Sequence, residues 1–277
     1  MDGLRRLCGL TLSAGTIAAV GILAAASAQR DPGRADAVTA EFHFARMIYT
    51  DYQGRGGLGW WAQDWPDAEE HFNEGVGRLT RVDLGPPVAV DLLDERLFDY
   101  PWLYATQVGY WVLSDEELAR LREYLLRGGF LMADDFFDES EWVPFQETML
   151  RLFPDRPIRE MSDADEILHV LYDIDKFTQI PGLRHLGGYG GGYRGGFRGG
   201  GRGSGPSGNF GSGYVQGLPE PHWRGIYDDD DRLMIAINYN QDVGDAWEHA
   251  DDAFYPQPMT ALAYRFGVNY IVYAMTH

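Results

Sequence analysis

The sequence predicts an α/β fold with a mostly parallel sheet and helices on both faces. Residues 130–133 form a short, wholly apolar run after Gly128 and Gly129, and such a run suits a strand covered on both sides. A helix with a clear start and stop precedes it. Strand and helix patterns then alternate along the chain, which is typical of parallel strands joined by right-handed crossovers.

The first half of the chain supplies three further strands and two helices. Strands are predicted over residues 42–49, 88–92 and 101–106. A helix is predicted over residues 66–79, since Pro66 suits a first turn and acidic residues follow it. Ser114 and Glu117 form a capping box for the next helix, and Gly128 ends it.

The second half continues the pattern. Helices are predicted over residues 140–153, 165–172 and 256–276, and a strand over residues 233–239. The four aspartates at 228–231 read as a solvated turn before that strand. We expect one domain over residues 41–277.

The start of the chain has the parts of a secretory signal peptide. Arg5 and Arg6 precede an apolar run, and Ala26-Ser27-Ala28 is a small-x-small site, so cleavage is expected after Ala28. The alternative is an uncleaved membrane anchor. Residues 29–40 read as a polar linker. The expected location is the periplasm or the extracellular space, without a transmembrane domain once residues 1–28 are removed.

Residues 187–213 form a glycine-rich insertion predicted to be disordered, because ordering so many glycines costs too much backbone entropy. Its arginines resemble those of RNA-binding tails. The net charge of −19 argues against nucleic acid as a partner, which favours a solvated spacer.

Several kinds of chemistry lack their signatures. The single lysine, Lys176, is not part of a phosphate-binding loop, and no serine stands in a GxSxG elbow. The only cysteine, Cys8, lies within the predicted signal peptide, so the remaining chain has no thiol nucleophile. The histidines lack paired spacing, and neither a metal nor a cofactor is predicted.

Asp134 and Asp135 are the leading catalytic candidates, because they follow a buried strand at the sheet edge where α/β proteins bind ligands. Two carboxyl groups there could share a proton or hold a hard cation. Adjacent residues of a strand point to opposite faces, so both reach one site only if the backbone turns between them. The alternative is that one caps a helix or pairs with an arginine. Glu248 is a third candidate, as a partner in catalysis.

Other polar and aromatic side chains are predicted to line the same cleft. Residues 53–65 form a predicted aromatic loop that carries Trp60, Trp61 and Trp65. These rings could stack on a sugar or hold the loop against the sheet. The polar residues after the strand predicted over residues 233–239 could bind a ligand, or they could form hydrogen bonds to the backbone of their own loop. The candidate ligand-binding residues are Tyr49, Asp51, Tyr52, Thr106, Asn238, Asn240, Asp242 and Trp247.

Four segments together resemble the bacterial proteins grouped as domain of unknown function 4159. They are FHFARMIY at Phe42, GGFLMADDF at Gly128, INYNQDVGDAWE at Ile237 and YPQPMTALAYRFGVNYIVYAMTH at Tyr255. The resemblance covers residues 41–277 and is weakest in the glycine-rich insertion. It implies a flavodoxin-like, three-layer fold akin to class I glutamine amidotransferases and the trehalose-utilisation type. Amidotransferase chemistry is not implied, because no cysteine stands at the cleft.

The leading functional hypothesis is an exported domain that binds a small polar or carbohydrate-like envelope ligand. The first alternative is a carboxylate-dependent glycan hydrolase using Asp134 or Asp135, with Glu248 as partner. The second is a scaffold for an envelope protein complex, with the aromatic loop or the glycine-rich insertion as its contact surface.

Overall fold

The computed structural model describes residues 40–52, 58–174, 178–186 and 217–277. The predicted signal peptide, the glycine-rich insertion and all but the last residue of the predicted linker lie outside these ranges. The strands are β1 (Ala45–Ile48), β2 (Thr50–Asp51), β3 (Val88–Asp91), β4 (Trp102–Ala105), β5 (Trp111–Val112), β6 (Phe130–Phe136), β7 (Arg159–Glu160), β8 (His222–Tyr227) and β9 (Leu233–Tyr239). The helices are α1 (Asp67–Leu79), α2 (Asp115–Leu126), α3 (Asp138–Leu152), α4 (Val243–Glu248) and α5 (Gln257–Thr276).

Seven strands form one mostly parallel sheet in the order β3-β1-β4-β6-β9-β8-β7. The first five of these run parallel, while β8 pairs antiparallel with β9 and with β7. The predicted α/β class is confirmed. β2 and β5 form a separate antiparallel pair beside the end of β1.

Side chains alternate between the two faces of the sheet, as the period of a strand requires. Phe44, Tyr104 and Met132 belong to one buried cluster, which includes residues of α1, α4 and α5. The intervening Ala45 and Leu131 belong to a second cluster with residues of α2 and α3. The apolar run of β6 is therefore buried on both sides, as its sequence predicts.

Capping chemistry sets the bounds of α2. The Ser114 hydroxyl accepts a hydrogen bond from the Glu117 amide, while the Glu117 carboxylate accepts one from the Ser114 amide, so the predicted capping box is present. Gly128 has φ 105°, the left-handed conformation that ends a helix. None of the helices in the described ranges combines the length and apolar character that a bilayer crossing requires.

Three local expectations need correction. The predicted helix over residues 165–172 is wrong, because only a 3₁₀ turn forms at Glu166–Leu168. The side chain of Asn269 in α5 accepts a hydrogen bond from the Tyr172 amide and donates one to the Tyr172 carbonyl. α3 begins two residues earlier than predicted, which places Pro144 inside it. The antiparallel strands β7 and β8 were not predicted.

Candidate functional site

The carboxyl ends of the parallel strands bring most of the predicted site residues to one edge of the molecule. Tyr49 follows β1 and Thr106 follows β4. Asp134 and Asp135 lie near the end of β6, and Asn240 follows β9. All five are buried. The aspartates of β6 therefore lie beside the Asn238–Asn240 segment at the end of β9, as the sequence predicts.

The backbone turns at the two aspartates. The register between β6 and β9 shifts between Ala133 and Phe136, and Asp135 has a left-handed φ of 52°. Gln107 after β4 (φ 52°) and Asn240 after β9 (φ 59°) are also left-handed. Such conformations are uncommon for residues other than glycine and often mark functional sites. Three neighbouring strands therefore each end in a strained, buried residue with a hydrogen-bonding side chain.

Asp134 joins strands and helix through three hydrogen bonds. Its carboxylate accepts from the Tyr104 hydroxyl (2.9 Å), the Gly244 amide (2.9 Å) and the Asn238 side chain (3.4 Å). Asn238 in turn accepts from the Tyr270 hydroxyl. Burial raises the pKa of Asp134, while the hydrogen bonds from Gly244 and Tyr104 oppose the shift. These contacts fix Asp134 to its surroundings.

Asp135 has different partners. One oxygen accepts from Gln107 and, at 3.5 Å, from Thr106, while the other is 2.9 Å from Nη2 of Arg184. Burial raises the pKa of Asp135 to about 7, although the positive charge of Arg184 lowers it. A carboxyl group with that pKa can accept or release a proton near neutrality.

Arg184 belongs to residues 178–186, which cross the carboxyl edge and are called the strap below. The strap is hydrogen bonded to the segment after β9: the Asp242 amide donates to the Ile180 carbonyl (2.8 Å), and the Leu183 amide donates to the Asp245 carboxylate (2.7 Å). Asp242 also caps α4 by accepting from the Asp245 amide (3.0 Å). Burial, followed by the nearby charges of Asp135 and Asp245, raises the pKa of Asp242 well above its usual range.

A second acidic group lies at the end of α4. Glu248 lies beside Asp64, and the two carboxyl groups can share a proton. Burial, followed by the charge of Asp64, raises the pKa of Glu248 to about 8. Ligand atoms of Asp245, Glu248 and His249 lie within 4.8 Å of one another, so these three residues have the spacing to hold a cation.

An aromatic surface borders the acidic residues. Trp60 stacks on Tyr110 (ring centroids 4.8 Å apart), and Tyr52, 55% exposed, packs against the same tyrosine. The Tyr110 hydroxyl donates to Glu141 at the start of α3 (2.6 Å). Asp51 accepts from the Trp60 amide and so helps to orient the loop.

The remaining predicted site residues have structural contacts. Tyr49 donates its hydroxyl to the Thr106 and Gln107 carbonyls, which joins the ends of β1 and β4. Asn240 accepts from the Asp138 amide and donates to the Glu220 carbonyl. Trp247 is fully buried, with its ring 4.4 Å from that of Phe72, so it packs in the core and offers no exposed face to a ligand.

Sequence reasoning missed Gln107, Arg184, Asp64 and Asp245. Gln107 directly follows the predicted Thr106, and Asp245 stands three residues after Asp242 at a helix start, so local patterns could have found both. Arg184 and Asp64 lie in irregular segments whose paths depend on tertiary contacts.

A family model described as Domain of unknown function (DUF4159) matches residues 43–275. The chain belongs to the DUF4159 family. The matched range extends from the start of β1 almost to the end of α5, so it contains every candidate site residue discussed above. The family part of the resemblance is thereby confirmed. Among curated proteins, none matches this chain.

Proposed function

We propose that this chain is an exported domain that binds a small, hydroxyl-rich ligand of the carbohydrate class at the carboxyl edge of its sheet, without amidotransferase chemistry. The observation that carries the proposal is the set of left-handed, buried residues Gln107, Asp135 and Asn240 at three adjacent strand ends. Strain of this kind persists where the surroundings hold it, and it clusters at ligand sites.

The strand order supports a flavodoxin-like, three-layer arrangement akin to class I glutamine amidotransferases. In order of appearance, the five parallel strands lie as second, first, third, fourth and fifth, which is the flavodoxin order. Buried clusters on both faces of the sheet also support it. In such sheets ligands bind outside the strand ends at the point where the order reverses, here between β1 and β4.

The chemistry of this edge supports a sugar-like ligand. Carboxyl groups with raised pKa values can both donate and accept hydrogen bonds near neutral pH, as hydroxyl groups require. The exposed ring of Tyr52 and the Trp60–Tyr110 stack provide the apolar surface on which a sugar face can pack.

A titration against a panel of neutral and amino monosaccharides and disaccharides tests the proposal. Tyr52→Ala should weaken binding about 2- to 10-fold, the usual worth of one aromatic contact. Phe98→Ala is the matched control, since Phe98 precedes β4 at the opposite edge of the sheet, and it should bind like the wild type. Absence of binding to every sugar would contradict the proposal.

Export is supported by the signal-like residues 1–28. Expression of the full chain in a bacterium with a periplasm, followed by N-terminal sequencing of the periplasmic protein, should give a mature start at Gln29. Retention of the whole product inside the cell, or a start at Met1, would contradict export with cleavage.

One observation favours glycan hydrolysis as a second candidate. Glu248 is half-buried beside Asp64 and its pKa is raised to about 8, so this pair of carboxyl groups can hold a proton at neutral pH, as a general acid must. Glu248→Gln should then keep sugar binding and abolish release of reducing ends. Turnover that survives this substitution would exclude Glu248 as the acid.

A further inference from the structure

The Arg184 side chain reaches from solvent to a buried carboxylate. Asp135 is 2% exposed, whereas the Arg184 side chain is 52% exposed, and the two form an ion pair of 2.9 Å. The guanidinium also lies over the Phe137 ring, 5.5 Å from its centroid. Among the described residues, Arg184 is the one cation paired with Asp135.

The backbone that carries Arg184 is fixed independently of this ion pair. In the strap, the Ile180 amide donates to Gln241 (2.7 Å), and the Pro181 carbonyl accepts from the Tyr255 hydroxyl (2.7 Å). The Leu183 amide donates to Asp245. The Arg184 side chain can therefore leave Asp135 by rotating into solvent while the strap stays in place.

We infer that the Arg184 guanidinium occupies the position of a positively charged group of the ligand, so that the ligand is an amino-bearing carbohydrate whose cation displaces Arg184 from Asp135. The inference rests on the proposed function and names the charge class of its ligand. It assigns the specificity for that charge to Asp135.

The buried acid at the end of β6 favours a cation. A neutral ligand that displaced Arg184 would leave Asp135 without a positive partner, so its carboxyl group would have to bind a proton, which becomes less favourable as pH rises above about 7. An ammonium or guanidinium group would restore the pair. An anionic ligand bound to the exposed side of Arg184 would instead meet Asp242, Asp245 and Glu141, whose charges all act on that guanidinium.

The aromatic surface lies on the same side. Glu141, which acts on Arg184, also accepts the hydrogen bond of Tyr110, and Tyr110 stacks with Trp60. A sugar packed on these rings would therefore lie on the side of the molecule where the Arg184 side chain meets solvent. Ring faces also attract cations.

Titration with glucosamine, glucose and N-acetylglucosamine at pH 7 tests the inference on the full chain. The wild type should prefer glucosamine to both neutral sugars. If Arg184 occupies its position nine-tenths of the time, Arg184→Ala should bind glucosamine about tenfold more tightly. Asp135→Asn should lose the preference. Arg159→Ala is the control, since Arg159 is also half-exposed, paired with an aspartate (Asp231) and placed over a ring.

A melting experiment reports on the cation position alone. Methylguanidinium at millimolar concentration should raise the melting temperature of Arg184→Ala by refilling the vacated position. It should not raise that of the wild type or of Arg184→Ala combined with Asp135→Asn.

The outcomes separate the two proposals. Equal affinity for glucose and glucosamine, or no gain in Arg184→Ala, would overturn the inference and leave carbohydrate binding in place. Methylguanidinium rescue without binding of any sugar would overturn the carbohydrate class and keep the cation position. Absence of both rescue and sugar binding would overturn both.

Discussion

The hydroxyl of Tyr104 and the carboxylate of Asp134 lie 2.9 Å apart across the neighbouring strands β4 and β6, with both side chains buried. The Gly244 amide of α4 donates to the same carboxylate oxygen. The Asp134 side chain therefore connects its own strand, β6, to β4 and to α4. This makes Asp134 a structural residue of the edge, in contrast to Asp135, whose partner Arg184 reaches solvent.

Asp134→Ala should lower the free energy of unfolding by about 2–5 kcal/mol, because the Tyr104 hydroxyl and the Gly244 amide would be left buried without an acceptor. Tyr104→Phe should cost about 1 kcal/mol. Urea denaturation of both variants and of the double mutant measures the coupling. The double mutant should lose less than the sum of the single losses, and strict additivity would show that the two groups do not interact.

Arg46→Met should cost about 3–5 kcal/mol of stability, because it leaves the buried Glu69 carboxylate without its cation. Arg46 also donates to the carbonyls of Trp61 (3.2 Å) and Gln63 (3.0 Å), so the aromatic loop should become easier to cleave by protease. Combining Arg46→Met with Glu69→Leu should restore much of the unfolding free energy, as removing both charges of a buried pair usually does. A double mutant no more stable than Arg46→Met would contradict this account.

Stability should fall as pH rises through the titration of Asp135. Its pKa is about 7 in the folded chain and near 3.8 when unfolded, so the folded chain binds the proton more strongly. The stability gained from this group is complete below pH 3.8 and is lost as pH rises through about 7. Asp135→Asn should flatten the decline in melting temperature between pH 4 and pH 8. Wild-type and variant curves of equal slope would show that Asp135 titrates normally.

Two helical glycines should respond oppositely to alanine. At Gly244 a Cβ would overlap the Tyr104 hydroxyl and lie 3.7 Å from Asp134, so Gly244→Ala should destabilise the chain by about 1–3 kcal/mol. At Gly77 in α1 the Cβ would meet only Leu84 at 3.6 Å, so Gly77→Ala should stabilise it by up to about 1 kcal/mol through helix propensity. Thermal unfolding of both variants checks the pair, and a shift in the same direction would refute the steric explanation.

Local chemistry made much of the fold predictable. Ser114, Glu117 and Gly128 mark α2 without reference to the rest of the chain, and the apolar run at residues 130–133 marks a strand buried on both faces. β8 was missed. It follows the glycine-rich insertion. It pairs antiparallel with β9, whereas the alternation of strands and helices predicted parallel neighbours.

The site was predictable in location and less so in its contacts. The carboxyl-edge rule placed Asp134 and Asn238 together, and they do share a hydrogen bond. The partners of Asp135 lie 28 residues before it and 49 after it, and no local pattern joins them. Trp247 resembled a ligand-binding aromatic because it follows polar residues, but Val243 and Ala246 on the same short helix share its burial.

Carboxyl groups are concentrated around the strap, so the electrostatic potential of the protein is asymmetric. Asp135, Asp242 and Asp245 all act on the Arg184 guanidinium, so this rim becomes more negative as pH rises and its buried carboxyl groups lose their protons. Positively charged solutes would be steered toward it from a distance of about one Debye length, roughly 8 Å at physiological ionic strength. Their association rate, more than their residence time, would then fall as salt is added.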